Sequence, residues 1–91
     1  MLKISIDETP TELRWILEGR LTGPWVTELR KSWKSKQRSR KGRTCILDLN
    51  DVTSVDHEGE ELLSAMFKQG AQLVGTALYI GDLLQRLKTG E

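Results

Sequence analysis

A chain of 91 residues, 37% hydrophobic and 30% charged, reads as one ordinary globular domain spanning residues 1–91, with enough chain for a single core. One cysteine, Cys45, and one histidine, His57, leave no disulfide framework and no cysteine- or histidine-rich metal site, and no apolar run approaches the ~18 residues of a membrane span. The formal net charge of +1 hides a segregation: Arg30, Lys31, Lys34, Lys36, Arg38, Arg40, Lys41 and Arg43 follow one another without an acid, and then Asp48, Asp51, Asp56, Glu58, Glu60 and Glu61 without a base. Such a dipolar surface suits the steering of a charged partner. The N-terminus carries no signal-peptide apolar core, so a cytoplasmic location is expected.

Leu2, Ile4 and Ile6 alternate with polar residues, which predicts a short half-buried strand. Thr9-Pro10-Thr11 breaks it, and Leu13 to Glu18 follows as a hairpin partner that ends or bulges at Gly19. Thr22-Gly23-Pro24 starts a helix, with proline at its first position. Trp25, Leu29 and Trp33, spaced by four, form its core stripe with Val26 alongside. The helix frays between Lys36 and Lys41, and Gly42 punctuates. Thr44 to Leu49 is apolar without alternation, as in a central strand covered on both faces, and Cys45 inside it is a small buried hydrophobe.

After that strand a polar loop is expected, pinned by Val52 and Val55, with Asp56 capping a new helix and Glu58, Glu60 and Glu61 favoured by its dipole. This helix buries Leu62, Leu63, Met66 and Phe67 and ends at Gly70; Gln72 to Gly75 is a further strand, and Leu78 to Leu87 a last helix. The order β-β-α-β-α-β-α predicts an α/β domain: a mixed sheet of about four strands with parallel crossovers and about three helices.

Signatures of catalysis are missing. Gly19 and Gly23 are not followed by the Lys-Ser/Thr of a phosphate loop, and a nucleophile triad would have to use the lone His57, which is remote from Cys45. The carboxylates near Asp56 are explained by capping. The chain is therefore expected to have no catalytic residues, no cofactor and no metal. A second class, nucleic-acid binding through residues 30–43, has the cations it needs, but Trp33 has core spacing and leaves no aromatic for stacking.

Leu17-Glu18-Gly19-Arg20-Leu21-Thr22, Asp48-Leu49-Asn50-Asp51-Val52 and Val55-Asp56-His57-Glu58-Gly59 resemble the STAS domain family, as do Gly70-Ala71-Gln72-Leu73 and Leu83-Leu84 further on. The family includes anti-sigma-factor antagonists and cytoplasmic domains of sulfate transporters, and the resemblance covers roughly residues 2 to 88. It implies a non-enzymatic STAS-like module of transcription regulation and bacterial signalling. The expected protein partner is an anti-sigma-factor kinase, or a transporter subunit if the chain serves as an accessory subunit. Partner binding would fall on Asp56, His57, Glu58, Gly59, Glu60 and Leu63. In the antagonists, the partner kinase phosphorylates a serine or threonine directly after the aspartate. Here His57 stands at that position and Glu58 replaces the small residue after it. Thr53 and Ser54 lie on the wrong side of Asp56, so the family's phosphorylation switch is expected to be absent. His57 and Glu58 then read as drift, as a permanent negative charge mimicking phosphate, or as a pH-sensitive contact through an imidazole, which changes charge between about pH 5 and 8.

Overall fold

The computed structural model describes residues 1–75 together with 85 and 86. Strands β1 (Leu2–Glu8) and β2 (Glu12–Leu21) form an antiparallel hairpin. Its turn closes on Thr9, whose N–H donates to the Glu12 carbonyl at 2.9 Å and whose hydroxyl oxygen accepts the Glu12 N–H at 3.0 Å. The alternation expected in β1 fades along the strand: Leu2 is buried and Ile4 half-buried, but Ile6 is exposed. β1 lies at the sheet edge, where less protein covers it.

Helix α1 (Pro24–Ser35) has Pro24 at its start and buries Val26, Leu29 and Trp33, with Trp25 only half-buried. Strand β3 (Thr44–Val55) then runs parallel to β2, helix α2 (His57–Lys68) crosses over, and β4 (Gln72–Val74) runs parallel to β3. The sheet order is β1-β2-β3-β4, so the mixed sheet with parallel crossovers is as expected. The last expected helix, Leu78 to Leu87, lies outside the described residues except for Gln85 and Arg86, which are helical; among the described residues the domain has four strands and two helices.

Both helices pack into one core with the apolar side of the sheet. The Trp15 indole N–H donates to the Ser32 hydroxyl at 3.0 Å, and the Trp15 and Trp33 rings meet with centroids 5.1 Å apart. The Trp33 N–H donates to the Gln69 side-chain oxygen at 3.0 Å, tying α1 to the end of α2. A buried Trp finds a partner for its polar edge in this way.

The polar loop expected after Leu49 is instead a continuation of β3. From the pair Ile16–Asp48 to the pair Glu18–Asp51, β2 advances two residues while β3 advances three; from Gly19–Val52 to Arg20–Ser54 it advances one against two. Each step inserts one extra residue into β3, which is a β-bulge. Inward side chains therefore fall at Leu49, Val52 and Val55, all buried at a spacing of three. A strand ordinarily alternates with a period of two, so this stretch looks irregular as sequence. The Asp48 carboxylate supports the first bulge by accepting the Asn50 backbone and side-chain N–H groups at 3.1 and 2.8 Å. Gly19, at φ 107°, provides the bend opposite the second, where a side chain would run into the Met1 carbonyl.

Candidate functional site

The bulged end of β3 delivers Asp56 to the junction of three elements. Asp56 is the N-cap of α2, with its Oδ1 accepting the Gly59 N–H at 2.8 Å. Its other oxygen, Oδ2, accepts the Gly23 N–H at 2.9 Å, just before α1. Its own N–H donates to the Leu21 carbonyl at 3.2 Å, at the end of β2. One aspartate thus fixes the starts of both helices against the end of β2. The Gly23 N–H, and then that of Gly59, hold the Asp56 carboxyl below the usual aspartate range, because both bonds favour the charged form.

Gly59 allows the close approach that this geometry needs. A Cβ there would lie 2.7 Å from the Leu21 carbonyl oxygen and 2.8 Å from the Val55 Cγ1. The first turn of α2 therefore rests directly on the ends of β2 and β3, which sets the height of every side chain on its outer face.

The remaining expected site residues divide by depth. His57 and Glu58 are exposed, and the His57 Nε2 lies 2.8 Å from the Glu61 carboxylate one turn along. Among the described residues Glu58 has no ion-pair partner. Glu60 is half-buried and pairs with Arg86 at 3.1 Å. Leu63, expected both among the residues this helix buries and on the partner-binding surface, is fully buried in the core, and Gly59 is buried as well. These two support the surface from beneath. Thr53 donates its hydroxyl to the Gly19 carbonyl at 3.2 Å, and Ser54 sits in the ladder opposite Arg20, so both belong to the sheet.

The sequence reading missed Gly23, Leu21 and Glu61. A glycine-proline pair before a helix signals its start, but not that the glycine amide will reach an aspartate 33 positions away. Glu61 was legible as the fourth residue after His57, the spacing at which helical side chains meet.

At the other end of β3 the basic segment is partly neutralised within the molecule. Lys36 and Arg43 both pair with Glu8, and these cations, Arg43 first, hold the Glu8 carboxyl low. The Arg40 guanidinium lies 3.9 Å above the Trp33 ring. Trp33 is buried and covered, and is not presented for base stacking. Among the described residues no group of three or more His, Cys, Asp or Glu side chains is placed to hold a metal ion, and no helix is long and apolar enough to cross a membrane.

No family model matches the chain, and no curated protein does. Solved structures do match. The anti-sigma factor antagonist SpoIIAA in its unphosphorylated form superposes with a TM-score of 0.74 at 15% identity, over 92% of this chain and 83% of that one. An uncharacterised protein of the DUF3478 family with a SpoIIAA-like fold, from Shewanella loihica PV-4, gives a TM-score of 0.58 at 14% identity, over 84% of this chain and 67% of that one. At these identities the likeness is one of fold. The chain has a SpoIIAA-like, STAS-like fold.

Proposed function

We propose that the chain is a non-enzymatic protein-interaction module of the anti-sigma-factor-antagonist type, docking a regulatory protein on the surface formed by the start of α2. The observation that carries this reading is the bracing of Asp56, whose carboxylate takes N–H groups from both Gly23 and Gly59. A docking surface gains affinity when it is ordered before its partner arrives. On this braced turn His57, Glu58 and Glu61 face solvent. They form a small, predominantly acidic surface suited to a partner with a basic patch.

The surface works without a serine or threonine phosphorylation switch. The residue after Asp56 is His57, which offers no hydroxyl, and the Thr53 hydroxyl is committed to Gly19. Glu58 supplies a permanent negative charge beside that position, in the sense of a phosphate that is always present.

The test starts with capture on the immobilised chain, identification of the bound protein, and titration of the purified partner against variants. E58K and E61K together should weaken binding by about tenfold or more, while K41Q at the far end of β3 leaves it within about twofold. Equal binding by the charge-reversed chain would refute the assigned surface. The phosphate-mimic element is tested separately by E58S, and unchanged affinity would remove it.

A further inference from the structure

A second polar concavity lies at the opposite end of β3 from Asp56. It is a cleft of about 470 Å³ between the chain that follows α1, the start of β3 and the end of α2. Gln37, Arg40, Lys41, Arg43, Gln69 and Gln72 supply its cations and amides, and among the described residues no carboxylate lines it. The volume falls in the range of small-molecule sites.

Three observations set this cleft apart from a merely basic surface. First, Arg40 is held in place by stacking on Trp33, and while its Nε is shielded from solvent, its two terminal nitrogens have no hydrogen-bond partner among the described residues. An ordered guanidinium with those donors to spare is arranged for an oxyanion. Second, the Gln69 side-chain oxygen is occupied by the Trp33 N–H, so its NH₂ group is left to donate elsewhere. Third, the cations are not needed by the adjoining end of α2. Its last carbonyls are already taken by backbone: Gln69 N–H on Ala65 and Met66, Gly70 N–H on Phe67, and Ala71 N–H on Met66. Arg43 is shared with Glu8, whereas Arg40 and Lys41 have no carboxylate partner among the described residues.

We propose that this cleft binds the phosphate group of a small phosphorylated molecule. Two unpaired cations and a third that is half-neutralised match a dianionic phosphate better than a single carboxylate. The side-chain amides can serve its remaining oxygens. The site is separate from the surface around Asp56 and does not depend on the function proposed for that surface.

Inorganic pyrophosphate is the probe, titrated at low ionic strength into the full chain labelled with nitrogen-15, with acetate and a short oligothymidylate as comparison ligands. Pyrophosphate should move the Trp33 indole N–H resonance while that of Trp25 stays in place. K41Q should weaken its binding by about tenfold, the worth of one charge-assisted hydrogen bond, and R40Q by at least as much. R30Q, on α1 outside the cleft, should stay within about twofold. Lys41 is exposed, so K41Q keeps the test valid even if R40Q disturbs the fold. An unmoved Trp33 resonance would overturn the proposal, as would equal losses in K41Q and R30Q or acetate binding as tightly as pyrophosphate. Tighter binding of the oligothymidylate with loss in R30Q would also overturn it, in favour of a nucleic-acid surface.

Discussion

Substituting Gly59 by alanine should destabilise the domain, although alanine favours helix by about 0.8–1.0 kcal/mol over glycine in a helix interior. The added Cβ would sit 2.7 Å from the Leu21 carbonyl oxygen, 2.8 Å from the Val55 Cγ1 and 3.2 Å from the Leu21 Cγ. Restoring an ordinary separation of about 3.5 Å requires the first turn of α2 to lift by roughly 0.8 Å. The first contact is backbone and cannot rotate away. Overpacking of this kind costs about 1–3 kcal/mol, and the propensity gain offsets only part of it in the first turn, so the net loss is about 1–2 kcal/mol. For a domain of this size that lowers the melting temperature by about 4–16 °C. Thermal melts followed by circular dichroism at fixed pH and concentration measure it. The lifted turn also lengthens the bond from the Gly59 N–H to Asp56, so docking at His57 and Glu58 should weaken below the melting range too. A G59A chain melting at or above the wild-type temperature would refute the close-approach argument.

Acid titration tests Asp56 through its lowered pKa. A group whose folded value lies below the unfolded one adds stability above the ordinary aspartate value of 3.8, and that stability disappears as pH falls through the folded value. Denaturant midpoints should therefore drop in that acid window, and D56N should flatten the drop, because asparagine can accept one of the two N–H groups but turns its own NH₂ toward the other. The share due to Glu8, held low by Arg43 and Lys36, should fade with added salt, whereas the Asp56 share, held by backbone N–H groups, should persist. L63A removes a fully buried side chain and should cost about 2–5 kcal/mol in urea unfolding, against about 0.5 kcal/mol or less for E58A; similar losses in both would place Leu63 wrongly. Deleting Asn50 should leave a cooperatively folding domain, since Leu49, Asp51 and Val52 then fall into simple alternation opposite Leu17, Glu18 and Gly19; loss of cooperative melting would contradict the bulge assignment.

Asn50 and Thr53 also mark where reading the sequence stops short. The hairpin, the Pro24 start of α1, the Trp33 stripe and the Asp56 cap were legible because each depends on local chemistry: a fixed proline φ, a helical period, a side-chain oxygen next to free amides. Val52 and Val55 were legible as buried residues, but not as parts of a strand. Their spacing of three suits extended chain only when each intervening pair includes a bulged residue, and a bulge is defined by the neighbouring strand. Leu63 carried two expectations, burial on the apolar side of the helix with Leu62 and Met66 and, from the resemblance, a place on the partner-binding surface; helical periodicity made the burial legible, and it is buried.

The same bulges explain why the site lies where it does. Were the same residues of β3 paired with β2 without bulging, the strand would reach two positions further along β2, and Asp56 would overshoot the Leu21 carbonyl to which its N–H now donates. With the bulges, the aspartate is level with the end of β2, within reach of Gly23 on one side and Gly59 on the other. The irregular stretch in the sequence is therefore what sets the geometry of the junction. A hydroxyl after Asp56 would have stood on the same braced turn as His57 does now. Its replacement alters what chemistry can be done to the surface and leaves the bracing of Asp56 in place, so H57S should fold as the wild type does and acquire a hydroxyl on that turn. A melting temperature for H57S well below that of the wild type would show that His57, through its contact with Glu61, is part of the brace itself.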